Sequence, residues 1–264
     1  MNSKSFYDAH TNFSFRTPRE YELSPGIRCK FDLILEFLKN NQFYKNGLDL
    51  GCSGNSILCF IHNVKNKLFL DISDIPLVQY SPKSQNSTKT DDSVKSIHPT
   101  CGDICKLPYK SNTFDLICSL DTLEHIKNDK LAVAEIGRVL NQNGICIITV
   151  PHKKALYSLQ DKIIGHHRRY EIEGLINLFS KNNLKCVRVF NVYGKIMKIA
   201  FFQTLNPKRT EKSLINLRLR YENSRFFNLL WKIIVKFSSR LMKIDAKYRK
   251  LQKGMNIGFI FVKR

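Results

Sequence analysis

The sequence lacks several features that would place it in a class of protein at once. Lysines interrupt the apolar run around Trp231, and no stretch of about 18 apolar residues exists elsewhere, so we expect no membrane-spanning helix. The eight cysteines form no C-x-x-C pair and no signal-peptide pattern is present, which argues against a disulfide framework and favours a cytoplasmic protein. A G-x-G-x-x-G motif, typical of dinucleotide-binding domains, is also missing.

Acidic residues are scarce in the last quarter of the chain. Residues 195–264 carry 18 Lys and Arg against 3 Asp and Glu, whereas residues 1–194 carry 25 against 19. Most of the net charge of +21 therefore lies in one segment. With 43% hydrophobic residues, the composition is that of a globular protein with a nearly balanced body and a basic region.

The body alternates short apolar runs with amphipathic segments. Apolar residues spaced by three and four predict helices over residues 26–39, 128–140 and 171–182. With the strands between them, this pattern predicts an α/β fold, a doubly wound, seven-stranded and mostly parallel sheet. We predict the strands near residues 46–50, 67–71, 97–101, 113–120, 144–150, 184–192 and 255–263.

Two segments interrupt that alternation. Residues 81–96 contain almost no apolar residues, which predicts a surface loop. About 60 residues, which hold most of the excess charge, separate the last two predicted strands. We therefore divide the chain into a core of residues 1–194, a basic helical insertion of residues 195–253 and a last core strand in residues 254–264.

The stretch LDLGCSGNS, residues 48–56, follows one predicted strand and precedes a predicted helix, SILCFIHNV. Gly51 and Gly54 would let the backbone turn sharply and approach a ligand, with amides at the helix start as donors. A strand-to-helix turn needs glycine for structural reasons too. Two acids strengthen the binding interpretation: Asp71 ends the next strand, 22 positions after Asp49, and Asp103 follows the third strand.

This set of motifs resembles the class I S-adenosylmethionine-dependent methyltransferases, in particular the ubiquinone-biosynthesis-like group of small-molecule enzymes. The resemblance covers about residues 30–192 and implies a Rossmann-like methyltransferase core with S-adenosyl-L-methionine as cofactor. Ser53 departs from the family pattern, which commonly has glycine there. The motifs are LDLGCSGNS, LDIS, GDICKLPYKSNTFDLI, SLDTLEHI and IGRVLNQNGICIITVP.

The resemblance also implies which residues bind the cofactor. The backbone around Gly51 would contact the methionine moiety, Asp49 its ammonium group, Asp71 the ribose, and Asp103 with Ile104 the adenine. The implied cofactor-binding residues are Asp49, Gly51, Cys52, Ser53, Gly54, Asp71, Ile72, Asp103, Ile104 and Leu120.

The segment D-T-L-E-H places Asp121, Glu124 and His125 together after the fourth strand. Some relatives hold a divalent metal with an E-x-x-E-H arrangement there, and His152, His166 or His167 would have to supply the fourth ligand here. Metal-independent members carry LEHI too, where it shapes the wall of the active site. We therefore predict no metal.

The segment IGHHRRYEIEGL, residues 164–175, resembles a G-H-x-R-R-Y segment of members associated with glycan or lipid pathways. Arg168 and Arg169 could bind a phosphate or carboxylate, with His167 or Tyr170 as base or hydrogen-bond partner. Alternatively, the arginines pair with Asp161, Glu171 or Glu173 and cap a helix. The candidate catalytic residues are Glu124, His125, His167, Arg168 and Tyr170.

Within the insertion, residues 225–244 predict an amphipathic helix with Lys232, Lys236 and Arg240 in a basic stripe. Such a helix could lie on an anionic membrane, dock on the protein's own core or a second subunit, or bind nucleic acid. We favour the membrane. The other side of the helix carries Phe227, Leu230, Trp231, Ile234, Phe237 and Leu241.

The sequence as a whole predicts a methyltransferase acting at an oxygen atom of a small-molecule or lipid/glycan-linked acceptor. An RNA methyltransferase and a cofactor-binding but inactive partner subunit are the alternatives. The expected location is cytoplasmic, with peripheral association at the cytoplasmic face of the membrane through residues 225–244. The acceptor and the oligomeric state are left open.

Overall fold

The computed structural model of the protein describes residues 3–9, 16–38, 42–80, 96–196 and 207–264. The polar loop predicted over residues 81–96 lies almost entirely outside these ranges, since the description resumes at Ser96. All eight cysteines are free thiols. Seven strands are present: β1 (Tyr44–Leu50), β2 (Val64–Asp71), β3 (Ser96–Cys101), β4 (Phe114–Leu120), β5 (Leu140–Pro151), β6 (Leu184–Tyr193) and β7 (Asn256–Lys263).

The strands form one sheet in the order β3-β2-β1-β4-β5-β7-β6. Strands β1 to β5 are parallel, whereas β7 runs antiparallel between β5 and β6. The predicted doubly wound, seven-stranded α/β fold is confirmed. Because the strand order reverses direction around β1 and β4, the loops after these strands diverge and leave a crevice at their carboxyl ends.

The helices cover both faces of this sheet. Ser24 caps α3 (Pro25–Phe37) by accepting the Ile27 N–H at 3.3 Å, and Asn128 caps α4 (Asp129–Val139) by accepting the Leu131 N–H at 3.3 Å. The three helices predicted in the body correspond to α3, α4 and α6 (Ile172–Ser180). The helices are α1 (Ser3–Ala9), α2 (Glu20–Leu23), α3 (Pro25–Phe37), α4 (Asp129–Val139), α5 (Leu159–Ile163), α6 (Ile172–Ser180), α7 (Pro207–Asn223) and α8 (Arg225–Lys247).

Two apolar layers enclose the sheet. Helices α4 and α6 pack on one face, where Ile136 and Phe179 are fully buried. Helices α3 and α8 pack on the other, through side chains that include Ile34 and Met242. Burial of a large apolar side chain stabilises the fold by about 1.5–3 kcal/mol. The insertion is thus part of the core packing, since its second helix completes one of the two layers.

The prediction of a helix directly after the glycine loop is wrong. The structure has only one 3-10 turn there, Ile57–Phe60, because β2 already begins at Val64 and few residues remain between them. Ile57 and Leu58 are fully buried, so these apolar residues belong to the core rather than to an amphipathic helix.

The insertion contributes α7 and α8 between β6 and β7. In the ranges that the structure describes, no helix combines the length and the hydrophobicity needed to span a bilayer.

Candidate functional site

The glycine loop after β1 adopts backbone conformations that need small residues. Gly51 has φ +69°, and a Cβ there would lie 2.4 Å from the Thr122 side chain. Ser53 has φ +49°, in the left-handed region that favours glycine, so the serine retains a glycine-like backbone. A Cβ on Gly54 would lie 1.6 Å from the backbone oxygen of Arg16. Gly54 therefore allows the N-terminal segment to approach the loop.

Asp71, the last residue of β2, connects this loop to the sheet. Its carboxylate accepts hydrogen bonds from the backbone N–H of Ser53 at 2.8 Å and from that of Ser73 at 3.0 Å. Burial raises the pKa of the Asp71 carboxyl, although these backbone hydrogen bonds oppose the shift. The carboxylate thus has a fixed position at the end of the strand.

Asp49 lies behind the loop and is only 3% exposed. Its carboxylate accepts a hydrogen bond from Ser56 Oγ at 2.5 Å. Burial raises the pKa of Asp49 to about 7, with the Ser56 hydroxyl and the Ile57 N–H acting in the opposite direction. The Asp49 carboxyl is therefore largely neutral below pH 7 and shapes the loop from inside.

A cavity of 380 Å³ opens at the carboxyl ends of β1, β2 and β4. Asp49, Cys52 and Gly54 are not among the residues that line it. Asp103 accepts the Cys105 N–H at 2.8 Å, which shapes the turn at the far end. The predicted cofactor residues that line the cavity are Gly51, Ser53, Asp71, Ile72, Asp103, Ile104 and Leu120.

Of the predicted catalytic residues, only His125 lines the cavity. Burial, together with the nearby His166, lowers the pKa of His125 to about 3, so the imidazole is neutral at physiological pH. The two imidazole rings meet edge to face, with centroids 4.5 Å apart. His125 is therefore the predicted catalytic side chain that directly meets the interior of the cavity.

Glu124 is fully buried directly behind His125. Neither of its carboxylate oxygens has a hydrogen-bond partner among the residues that the structure describes, and His166 Nε2 lies 3.7 Å from Glu124 Oε1. Burial raises the pKa of the Glu124 carboxyl well above its usual range. A neutral carboxyl avoids the large cost of an unpaired buried charge.

His166 is held in place by a buried ion pair. Its Nδ1 lies 2.8 Å from Asp161 Oδ1, and Arg169 donates to the same carboxylate at 3.0 Å. The sequence pointed to the neighbouring His167 as a base, but the His167 side chain is exposed and does not line the cavity. His166 is the histidine of this pair that packs against the predicted site.

Arg168 and Tyr170 brace the loop instead of lining the cavity. Arg168 Nη1 lies 2.6 Å from Asp129 Oδ2, and the Tyr170 hydroxyl donates to the same oxygen at 2.9 Å. Arg169 pairs with Asp161. Both arginines thus have carboxylate partners, which matches the structural alternative considered for this segment, with Asp129 as an unforeseen partner.

Three groups near the cavity have the spacing of a metal site. One ligand atom each from Glu124, His125 and His166 lie within 4.8 Å of one another. Asp121 is not part of this set, because its carboxylate binds Lys30 at 2.6 Å and Asn256 at 2.7 Å. Metal binding requires a deprotonated carboxylate, and the raised pKa of Glu124 opposes this.

Tyr7 and Arg16 are among the cavity residues that the sequence analysis missed. Both belong to the segment before the predicted core elements, and no periodicity or motif marks them. It also missed Lys30, whose ion pair with Asp121 joins α3 to the end of β4. A lysine between the buried Cys29 and Phe31 was the one available signal.

The part of the chain that runs from β1 to β5 is similar in sequence to a known family. Residues 48–148 match the sequence model of a family described as a methyltransferase domain. This stretch of the chain is a methyltransferase domain. The resemblance found in the sequence motifs is confirmed, as is the class of enzyme, a methyltransferase.

Three known proteins are similar to this chain. The uncharacterized protein MJ0638 of Methanocaldococcus jannaschii is 28% identical over 72% of this chain and 78% of its own length. Norajmaline N-methyltransferase of Rauvolfia serpentina is 30% identical over 41% of this chain and 37% of its own length. Phosphoethanolamine N-methyltransferase 2 of Haemonchus contortus, solved with S-adenosyl-L-methionine, has a TM-score of 0.60 at 19% identity, covering 100% of this chain and 60% of that one, which shows the shared fold.

S-adenosylmethionine is the cofactor of this methyltransferase domain. The cavity suits this cofactor chemically. The Asp71 carboxylate has a fixed position at the end of β2, and at Gly51 a ligand can come close to the backbone because there is no side chain. A polar turn at Asp103 closes the far end.

Proposed function

We propose that the methyltransferase transfers a methyl group to a hydroxyl oxygen of a small or lipid-linked acceptor, with His125 as the proton acceptor. The cofactor, when bound, supplies an electrophilic methyl group on its sulfonium. The carboxylate of Asp71 would bind the ribose hydroxyls, and Asp103 with Ile104 would contact the adenine. The backbone of Gly51 and Ser53 would approach the methionine end.

The position of His125 carries this proposal. It is the only predicted catalytic side chain on the cavity wall, and it is neutral at physiological pH. A hydroxyl must lose its proton as the new carbon–oxygen bond forms. Because its pKa is lowered, His125 is a weak base, which can take the proton from the strongly acidic oxygen that the incoming methyl group creates and then release it to solvent. The adjacent hydrogen-bonded pair of His166 and Asp161 supports the wall beside the His125 ring.

The outward face of α8 supports a lipid-linked acceptor. Val235, Met242 and Ala246 are buried against the core, and Trp231 donates to the Leu23 backbone oxygen at 3.1 Å. The predicted docking on the core is thus found for one side of the helix. The opposite side exposes an apolar stripe: Phe226, Leu229, Leu230, Ile233, Ile234, Phe237, Leu241, Ile244 and Tyr248.

Charges beside that stripe favour an anionic surface as its partner. Lys232 pairs with Glu22, but Lys236 and Arg240 are exposed and form no ion pair within the described residues. A second copy packed on the same stripe would bring these cations toward each other, whereas anionic lipid headgroups would neutralise them. We therefore propose that residues 195–253 dock on a membrane through α8.

The insertion also contacts the segment that carries a cavity residue. Arg218 of α7 pairs with Glu20 of α2 at 2.6 Å, and Glu20 lies four residues after the cavity-lining Arg16. This ion pair links the insertion to the N-terminal part of the cavity wall.

Radiolabelled methyl transfer tests the chemistry. The protein is incubated with S-adenosylmethionine labelled in its methyl group and a cell extract, which is then separated into chloroform-soluble, water-soluble and RNA fractions. We expect label as a methyl ether in the chloroform-soluble or small-molecule fraction, unchanged by chelator. We also expect His125→Gln to lower the rate about 10²–10⁴-fold with little change in S-adenosylhomocysteine affinity by calorimetry. Label on RNA or on nitrogen would overturn the acceptor assignment, and sensitivity to chelator would point to the metal site.

Vesicle sedimentation tests the membrane proposal. We expect binding to phosphatidylcholine vesicles that contain phosphatidylglycerol, weaker binding without it, and loss of binding in Phe237→Glu. Val187→Glu is the matched control, since Val187 is an exposed apolar residue on β6, 55% exposed. Equal binding by the Phe237 variant and the wild type would exclude α8 as the contact.

A further inference from the structure

The connection between β5 and α6, residues 153–170, is a compact surface loop that we call the β5–α6 loop. The Lys153 N–H donates to the Tyr170 backbone oxygen at 3.1 Å and closes the loop at its base. Within the loop, the Tyr157 hydroxyl donates to the His166 backbone oxygen at 2.7 Å. The loop is therefore held in one shape by its own hydrogen bonds.

The inner side of this loop is polar and lies behind the cavity wall. Asp161, in α5, is buried, and its carboxylate accepts from Arg169 Nε at 3.0 Å and lies 2.8 Å from His166 Nδ1. The His166 ring meets the ring of the cavity-lining His125, with centroids 4.5 Å apart. The polar side of α5 is thus turned toward the protein, which leaves its other side to the solvent.

The outer side of the loop is apolar. Leu159 and Ile163 are four residues apart and lie on the same side of α5, where they are 72% and 43% exposed. Leu156, in the 3-10 turn Lys154–Leu156, is 41% exposed. We call these three side chains the apolar tip. Several large apolar side chains exposed together mark a contact surface.

The charges around the apolar tip favour an anionic membrane as its partner. Lys154 and Lys162 are exposed beside it and form no ion pair within the residues that the structure describes. The loop carries five Lys and Arg against one acid, the buried Asp161. Glu171, directly outside the loop, accepts the Lys154 backbone N–H at 2.9 Å. A second copy packed on the tip would bring the lysines toward each other, whereas anionic headgroups would neutralise them.

We propose that the apolar tip inserts into the headgroup layer of an anionic membrane and forms a second membrane contact besides α8. This inference rests on the proposed function, because it assumes an acceptor that resides in a membrane. The element that inserts is the one that packs against His125. Insertion would therefore bring the bilayer to the acceptor side of the cavity, and a lipid-linked acceptor would reach His125 without crossing bulk water.

Quenching of tryptophan fluorescence by lipids with brominated acyl chains tests the insertion. Trp231 is the only tryptophan of the chain, so Leu159→Trp on a Trp231→Phe background carries a single probe at the tip. With vesicles of brominated phosphatidylcholine and phosphatidylglycerol we expect about twofold quenching relative to unbrominated vesicles, since interfacial segments reach the acyl boundary. Phe43→Trp on the same background is the control, because Phe43 is exposed just before β1, at the opposite end of the sheet from the cavity. Vesicle-bound protein with an unquenched Leu159→Trp probe would overturn the proposal.

A charge at the tip tests the same contact in the otherwise unchanged chain. Leu159→Glu should raise the lipid concentration for half-maximal sedimentation with anionic vesicles about tenfold, because a carboxylate opposes both insertion and the headgroup charge. S-adenosylhomocysteine affinity and the unfolding temperature should stay at wild-type values, since this side chain is largely exposed. Phe43→Glu is the matched control. Unchanged vesicle binding by Leu159→Glu, with loss of a wild-type dimer in sedimentation velocity, would assign the tip to a second copy instead.

The outcomes separate this inference from the proposed function. If Phe237→Glu binds vesicles like the wild type while the Leu159→Trp probe is quenched, the proposal for α8 fails and the apolar tip stands. If methyl label appears only on RNA or on nitrogen, the acceptor assignment fails, and quenching still decides the insertion. If the wild type does not sediment with anionic vesicles, both membrane contacts are wrong.

Discussion

The two halves of the cavity are built in different ways. The cofactor half comes from consecutive strand ends, where Gly51, Asp71 and Asp103 follow β1, β2 and β3. The acceptor half brings together segments far apart in sequence, with Tyr7, His125 and Gly165 meeting at one place. The first half is fixed by hydrogen bonds to the sheet, whereas the second depends on packing between connections that are distant in sequence. Changes in the first half should therefore affect stability and cofactor binding together, and changes in the second should affect the acceptor alone.

The largest effect is expected from Asp49, the buried acid behind the cofactor loop. Its folded-state pKa of about 7 lies above the unfolded value of about 4, so its ionisation makes the fold less stable as pH rises from about 4 to about 7. Asp49→Asn removes this titration. The variant should gain stability relative to the wild type over that range, by up to about 4 kcal/mol, and the gain should be constant above pH 7. Urea unfolding at pH 4, 6 and 8 measures it, and an equal difference at all three values would contradict the pKa shift.

Gly51→Ala should break the cofactor half outright. The new Cβ would lie 2.4 Å from Thr122 and force an unfavourable positive φ, at a cost of about 1–3 kcal/mol in unfolding free energy. S-adenosylhomocysteine affinity should fall at least about tenfold, because the loop must shift. Gly174→Ala is the matched control: nothing lies within 4 Å of its added Cβ in α6, so stability should rise by about 0.5–1 kcal/mol. Equal effects of the two changes would remove the steric argument.

Asp71→Ala should weaken cofactor binding by about 1–3 kcal/mol, since the ribose and the loop both lose an acceptor. Asp115 provides a control of the same kind. It accepts the backbone N–H of Lys45 at 2.8 Å and of Asn46 at 2.9 Å, but at the other end of the sheet. Asp115→Ala should lower stability and leave S-adenosylhomocysteine affinity unchanged in calorimetry. Unchanged affinity in Asp71→Ala would refute the cofactor assignment.

The smallest effect on stability and activity is expected from substitution of His167. Comparison with substitution of the neighbouring His166 shows which of the two histidines acts in the acceptor half. Its backbone N–H donates to the Glu124 backbone oxygen at 2.7 Å, and that bond survives substitution. His167→Ala should change stability by less than about 0.5 kcal/mol and leave methyl transfer unchanged. His166→Ala should lower methyl transfer about tenfold, because the ring beside His125 is lost. Reversed results would restore His167 as the functional residue.

This contrast explains which features could be predicted from the sequence. Alternating apolar runs and strand-end acids are local signals, so the sheet and the position of Asp71 followed from them, whereas the cofactor followed from the resemblance of the motifs to a known family. The prediction of a helix after the glycine loop was wrong because β2 starts early. That start is set by pairing with β1 and has no local signal in the sequence. Tyr7 could not be found, since a short N-terminal helix gains its place only from contacts with Ser73, Asp74 and Gly165.

The arginine pair shows a second kind of limit. Arg168 and Arg169 carry the same charge and adjoin in sequence, and the sequence allowed either an anion site or internal ion pairs. Only the folded chain shows that Arg168 pairs with Asp129 and Arg169 with Asp161. Long charged side chains find partners from several elements, so their role depends on tertiary structure that no local pattern encodes.

The late return of β7 has a consequence for how the protein folds. β6 joins the sheet through β7, and Leu184 pairs with Lys263 across the whole insertion. Closing so long a loop costs entropy before any ladder hydrogen bond forms, which slows folding. Helix α8 packs on β6 and α3, so its docking would bring β7 close to its slot between β5 and β6. The inner side of α8 would thereby guide β7, the last strand, to its place in the sheet. The outer side of the same helix carries the surface that we propose for lipids.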